Sequence, residues 1–409
     1  MKDGCNAPAP MNPDYRKYWQ LDSTITFLNH GSYGACPVAV LEKQRQLRER
    51  LEQEPVRFFA LELEALLDGA RQVLADFVGA EADNLAFVPN ATTGVNTVLR
   101  SLCLPSADFP ALQKGDELLT TTHEYNASRN ALNFAAQTSG ATVVVAEVPF
   151  PIAAPEQAIA AVLAKVSDRT RLVLLDHVTS QTGLVFPLKP LIEQLTAAGV
   201  EVLIDGAHAP GMIPLNLKKL GATYYTGNCH KWLCAPKGAA FLYVQPEHRD
   251  RLRPLVISHG ANSTRGDRSR FRLEFDWTGT ADPTPYLCVP EAIQFMGSLL
   301  PGGWANMMQQ NRAKALATRE SLCQMLQVAS PSPAAMVGAM AVVPLPNGSA
   351  EALQARLFQD FQIEVPVVPW FGRLNRLIRV SAQIYNTQAD YDVLARALSL
   401  LLAEEIKTT

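Results

Sequence analysis

Val200-Glu-Val-Leu-Ile-Asp205-Gly-Ala-His208 and, further along, Asn228-Cys-His-Lys231-Trp-Leu are the stretches on which the reading of this chain turns. The first is an apolar run of the kind buried on both faces of a sheet, and it ends on an acid. The second sets a lysine beside a histidine and small polar residues, on the loop expected after the next strand. An aspartate just past a buried strand is well placed to pair with a pyridinium nitrogen, and a lysine close by can form a Schiff base with an aldehyde. Singly, each residue would more often be a strand cap or an exposed charge. As a pair, Asp205 and Lys231 lead us to expect pyridoxal 5′-phosphate (PLP), for which these are the protein's usual contributions.

Strands and helices alternate around this pair. Leu85–Val88, Glu117–Thr121, Ala141–Val148, Arg171–Leu175 and Val200–Ile204 read as strands, with helices over Ala127–Thr138, Pro155–Lys165 and Leu188–Ala198. That spacing predicts βαβ units and a largely parallel sheet. Gly238–Val244 reads as a further strand, antiparallel. Upstream, Val38–Leu67 reads as helix broken near Pro55, and the amphipathic stretch Leu66–Phe77 stops at Gly79, a C-cap. Beyond residue 250 the texture changes. Pro285–Leu326 is helical apart from Pro301-Gly-Gly, Met340–Leu345, Ile363–Val368 and Leu377–Val380 read as strands, and Ala389–Leu402 as the last helix. We therefore expect an α/β fold in three parts: an N-terminal arm (1–20), a large cofactor-binding domain (21–265), and an interface segment with a smaller α+β domain (266–409).

Asn90-Ala-Thr92-Thr93-Gly94 follows a strand and opens a helix, with Asn90 as N-cap. Backbone N–H groups at such an end, the helix dipole and the two threonine hydroxyls suit a phosphate. In open α/β sheets ligands sit beyond the carboxyl ends of strands, which is where Asp205, Lys231 and this helix would meet. Tyr125 lies at another strand end, close to His123, and its ring could stack on the cofactor. Arg379, in Leu377-Ile-Arg-Val-Ser381, carries a guanidinium able to clamp a carboxylate through two hydrogen bonds.

Composition narrows the class. The 409 residues are 48% hydrophobic and 18% charged, with a net charge of −3, an ordinary globular balance with no basic footprint for nucleic acid or an anionic membrane. No apolar run approaches the roughly 20 residues that span a bilayer. The seven cysteines form neither a CxxC pair nor a metal-binding spacing, so we expect no metal site and reduced thiols in a cytoplasmic protein.

With these residues assembled, the chain resembles the class V aminotransferase family of fold-type I PLP enzymes, and within it the isopenicillin N epimerase-like branch. The likeness runs from Phe27-Leu-Asn-His-Gly-Ser-Tyr-Gly34 to Arg379-Val-Ser-Ala-Gln-Ile-Tyr-Asn386. It implies that Lys231 carries the Schiff base, that Asp205 keeps the ring nitrogen protonated, and that His208 lies near the phenolic oxygen. It assigns the phosphate to Thr92, Thr93, Asn228 and His230, and puts Ser180 where desulfurases use an asparagine. Tyr125 or His123 would supply the stacked ring, and Asn29 with Arg379 would take the substrate carboxylate. Gly279-Thr280 resembles the segment that reaches the neighbouring subunit's phosphate, which implies a homodimer. Desulfurases carry a cysteine on a loop before the arginine, whereas Val365-Pro-Val-Val-Pro-Trp370-Phe-Gly-Arg-Leu has none. The resemblance thus points to chemistry at the α-carbon of an amino acid: epimerisation first, C–S β-elimination from cysteine or cystine next, transamination third. A second acid for epimerisation would come from Tyr125, His123 or His208.

Overall fold

The computed structural model describes residues 14–106, 108–370 and 376–408. Its centre is a seven-stranded sheet built from β2 (Leu85–Val88), β3 (Glu117–Thr121), β4 (Thr142–Ala146), β5 (Thr170–Asp176), β6 (Glu201–Asp205), β7 (Tyr224–Asn228) and β8 (Ala240–Val244), in the order β2-β8-β7-β6-β5-β3-β4. β4, β3, β5, β6 and β7 run parallel. β8 is antiparallel to both of its neighbours, so it alone is reversed and β2 shares the common direction. This is the mainly parallel sheet expected, with the predicted antiparallel strand in place.

Alternation along the strands feeds two cores. Leu119, Val173, Ile204 and Tyr225 face one layer, together with residues of the helices Leu63–Val78 and Leu188–Ala197. Leu118, Leu172, Leu203 and Tyr224 face the other, against the helices Ala91–Leu102 and Asn126–Ser139. Apolar side chains on both faces are why these strands read as continuous hydrophobic runs. Of the two edge strands, β4 is the more exposed and β2 is buried throughout.

The long N-terminal helix breaks where Pro55 withholds its N–H. Val38–Gln53 is followed by the short turn Pro55–Arg57, a wider turn at Phe58–Glu62, and then Leu63–Val78. Gly79 closes that helix in the left-handed region at φ 64°, as expected.

A three-stranded antiparallel sheet, ordered β11-β12-β9, forms the C-terminal part from β9 (Met340–Leu345), β11 (Val367–Pro369) and β12 (Arg376–Ser381). It shares a separate core with the helices Gly303–Leu326, Ala350–Phe361 and Gln388–Thr408. The single strand expected over Ile363–Val368 is two strands. Its first half, β10 (Ile363–Glu364), pairs in parallel with β1 (Thr26–Phe27), and its second half is β11. Pro366, with no N–H to donate, stands at the division. Residues near the start of the chain therefore join the C-terminal sheet side, and Leu28, fully buried, belongs to that core. The first 13 residues of the expected arm lie outside the described residues. The remainder of it is anchored, because Trp19 is buried and its indole N–H donates to Ala35 O.

Candidate active site

The common direction of the strands brings five chain segments to one edge of the sheet. β6 ends on Asp205, and β5 on Asp176, its register partner. β7 ends on Asn228, three residues before Lys231. β2 leads into Asn90 and the helix Ala91–Leu102, and β3 leads into His123, Glu124 and Tyr125. Together they line a cleft of about 630 Å3, counting its open mouth. Asn90, Thr92, Tyr125, Ser180, Asp205, His208, Asn228, His230 and Lys231 line it from the sequence reading, and Ser32, Tyr33 and Asp176 join them.

Two glycines make the convergence possible. A Cβ on Gly94 would sit 2.2 Å from Thr226 Oγ1, so only glycine lets the helix N-terminus lie against β7. A Cβ on Gly34, at φ 71°, would meet His230 O at 2.2 Å, so the Asn29–Gly34 segment is pressed onto the lysine loop. His30 reinforces that join with a 3.1 Å contact from Nε2 to Lys231 O.

Asp205 is buried, with Ser128 Oγ donating to Oδ2 at 2.8 Å and the Ala207 N–H to Oδ1 at 3.0 Å. Burial pushes its carboxyl above the usual range, while those two donors and Lys231 oppose the shift. Lys231 Nζ lies 3.2 Å from His208 Nε2. Burial, followed by the nearby Arg379 charge, lowers the lysine to about 8. The amine is thereby a far better nucleophile at neutral pH than an ordinary lysine. Burial and the charges of Lys231 and Arg379 hold His208 well below its ordinary range, and its Nδ1 is buried without a partner.

At the phosphate end the geometry refines the expectation. Asn90 Oδ1 caps the Thr93 N–H at 2.8 Å, and Asn228 Oδ1 accepts from the Ala91 N–H at 2.8 Å. Thr92 is thus left as the first-turn N–H that neither side chain engages, and Asn228 keeps its amide NH2 uncommitted to this cap. The Thr93 hydroxyl donates to Asn90 at 3.0 Å, and Thr93 lines a neighbouring cavity with Thr97, Trp277, Thr278 and Gly279. His230 Nδ1–H donates to Ala239 O at 3.0 Å, and burial holds the ring near 4, so it is neutral unless an anion sits beside it.

Arg379 is buried beside the mouth. Nη1 donates to Ser180 O at 2.5 Å, and Nη2 to Ser32 Oγ at 2.9 Å and to Asn29 Oδ1 at 3.4 Å. Its Nε is buried with no partner. A buried guanidinium with a donor to spare, and no carboxylate paired with it among the described residues, suits a small anionic ligand.

The two aromatic candidates lie in different surroundings. Tyr125 lines the cleft and is 45% exposed. His123 is buried away from it, with Nδ1 at 2.7 Å from Thr182 Oγ1 and Nε2 at 3.1 Å from Val148 O, among the rings of Phe150, Phe186 and Trp370. Thr280 is exposed and does not line the cleft of its own chain. Sequence reasoning missed Asp176, Glu124, Ser128 and Ser32. For Asp176 the signal was available, since it ends an apolar run just as Asp205 does. Ser128 sits inside a helix, and nothing in its surroundings along the chain marks it.

A mainly parallel seven-stranded sheet, a smaller C-terminal sheet domain, and a lysine one strand-end away from a buried aspartate define the fold-type I class of PLP-dependent transferases. The chain matches the family described as Aminotransferase class-V over residues 35–394, and it belongs to that family. Its relatives include an isopenicillin N epimerase of Amycolatopsis lactamdurans, 36% identical over 94% of this chain and 97% of that protein. A probable chloroplastic L-cysteine desulfhydrase of Arabidopsis thaliana is 28% identical over 100% of this chain and 91% of the other. Among solved structures, a mutant of C-DES with glycine covalently linked to its PLP cofactor superposes with a TM-score of 0.79, at 21% identity, covering 95% of this chain and 99% of that one.

Proposed function

We propose that this class V chain is a PLP-dependent enzyme that exchanges the α-proton of an amino acid, in the manner of an epimerase. The observation that supports it most is the enclosure of Lys231, with its pKa lowered to about 8, in one cleft with Asp205, next to a buried Arg379 whose Nε has no hydrogen-bond partner among the described residues. The cleft's residues fit the cofactor: an uncapped N–H at Thr92, the Asn228 amide, an orphaned His208 Nδ1 and a buried acid at Asp205. When bound, PLP supplies the electron sink that lets a Cα–H bond break. Lys231 Nζ then takes and returns the proton at Cα. Asp205 holds a positive charge at the ring nitrogen. Arg379, aided by Asn29 and Ser32, fixes the substrate carboxylate and so orients the Cα–H bond.

Inversion requires a second proton carrier. Tyr125 and His208 are the candidates in the cleft, because the hydrogen bonds of His123 turn that ring elsewhere. The phosphate is assigned to Thr92, Asn228 and His230, with Thr93 acting through its cap. The reading includes a homodimer in which Gly279-Thr280 serves the partner's phosphate. Exposed Leu255 and Val256, which border the same cavity as Thr278 and Gly279, offer it apolar surface. It also includes a cytoplasmic setting, supported by the free thiols of Cys36, Cys103, Cys229, Cys234, Cys288 and Cys323.

A second reading, C–S β-elimination from cysteine or cystine, has the desulfhydrase relatives behind it. Incubation with candidate amino acids in D2O separates the two. Deuterium at Cα with inversion and no keto acid supports epimerisation. Pyruvate and ammonia without inversion overturn it in favour of the lyase, and a keto acid with pyridoxamine phosphate would favour transamination. Lys231→Ala tests the foundation of all three: borohydride must no longer fix the cofactor to the chain.

A further inference from the structure

Beside Asp205 stand two more buried acids that the functions above do not use. One oxygen from each of Glu124, Asp176 and Asp205 lies within 4.8 Å of the others, and all three side chains are buried. Three carboxylates this close and this dry cannot all be charged. The hydrogen bonds divide them unequally. Asp205 accepts at both oxygens. Glu124 accepts from the Thr120 hydroxyl at Oε2, at 3.0 Å, while its Oε1 is buried without a partner. Asp176 Oδ2 is likewise buried and unpartnered. The positive groups facing the cluster are Arg129, from the helix Asn126–Ser139, toward Glu124, and Lys231, toward Asp176 and Asp205. Tyr225, from β7, faces Asp205 as a neutral phenol held by burial.

We propose that Glu124 and Asp176 are positioning residues that hold protons behind Asp205, leaving it the single ionised acid presented to the ring-nitrogen end of the cleft. The assignment rests on the reading of Asp205 as the pyridinium partner. Burial supports it, since it raises Glu124 to about 8, with the Asp205 charge adding to the effect. Asp176 is raised by burial first, then by Glu124 and Asp205. A neutral carboxyl can also donate from the unpartnered oxygen, which an ionised one cannot. The alternative occupant of three such oxygens is a divalent cation.

The apoprotein tests this without the cofactor. Infrared spectra at neutral pH should contain the carbonyl stretch of protonated carboxyls, weakened in Glu124→Gln and in Asp176→Asn. Because no PLP is present, that outcome is independent of whether PLP binds, and failure of the cofactor reading would show separately in Lys231→Ala. The folding equilibrium gives a second readout. An acid whose folded pKa is raised keeps its proton when the unfolded chain has lost it, so its stability contribution falls as pH rises. Relative to Glu124→Gln, the wild-type folding constant should drop by about tenfold per pH unit between the ordinary 4.5 and about 8, then level off. Should Glu124→Gln fail to fold, Asp176→Asn and the wild-type band carry the same decision. Absence of the band in the wild type, a parallel pH profile in the variant, or a stoichiometric metal ion released by Asp176→Asn would each overturn the proposal.

Discussion

Lys231 shows how burial and a neighbouring charge together set a residue's chemistry. Burial disfavours the lysine cation and the arginine's fixed charge adds to this, which brings the amine to about 8. A neutral amine is the form that attacks an aldehyde, so the rate at which the apoprotein captures PLP should rise with pH through about 8. In Arg379→Gln that midpoint should move upward, toward the ordinary 10.5, and a stopped-flow pH series on both proteins would read it. The linked stability effect has a definite sign: the depressed lysine costs stability below about 8, and the cost is relieved as pH rises toward 10.5. Arg379→Ala should also weaken amino-acid binding, by on the order of 2–5 kcal/mol, because a substrate carboxylate would be left unpaired in a dry site. The corresponding decarboxylated amine should show little change in KM. Equal losses for both substrates would show that Arg379 does not read a carboxylate.

At the scale of elements, the helix Ala91–Leu102 is positioned by contact as much as by its cap. Thr226 Oγ1 donates to Phe241 O at 2.8 Å and has no freedom to retreat from a methyl group at Gly94. Gly94→Ala should therefore destabilise the fold by roughly 1–3 kcal/mol despite alanine's better helix propensity. Gly69 is the control. It lies in the helix Leu63–Val78 with open space where a Cβ would stand, nothing lying within 4 Å, so Gly69→Ala should gain roughly 0.5–1 kcal/mol. Thermal melts of the two variants should move in opposite directions. A rise in Tm for Gly94→Ala would show that the helix end is not clamped against β7.

For the whole molecule, the proposed sharing of phosphate sites makes a prediction no single chain can satisfy. Lys231→Ala and Thr280→Ala, each impaired alone, should recover activity when mixed and allowed to exchange subunits, since one site of each hybrid would then combine two intact contributions. Light scattering should report a dimer for both parents. A monomer that holds PLP tightly would remove the basis of shared sites. Among the described residues no helix is long and apolar enough to cross a membrane.

Much of this protein was legible along the chain because its signals are local. The apolar runs ending on Asp205 and preceding Lys231, the Asn90 cap, the Gly79 stop and the reversed strand at Ala240–Val244 each depend on neighbours a few residues away. The large sheet, its predominantly parallel sense and the pairing of acid with lysine followed from them. What depended on contacts between distant residues was out of reach. The sequence could not show that His123 and Tyr125, two residues apart, lie in different surroundings, because that depends on Thr182 and Val148 O, which take the histidine's ring nitrogens. It could not attach β1 to β10, since that pairing follows from Leu28 being buried in a core supplied by the other end of the chain. Nor could it show that Glu124, Asp176 and Asp205 meet, because each acid reads singly as a strand end or a loop charge. Only the side-by-side arrangement of β3, β5 and β6 brings their oxygens within 4.8 Å, where burial and mutual repulsion govern their protons.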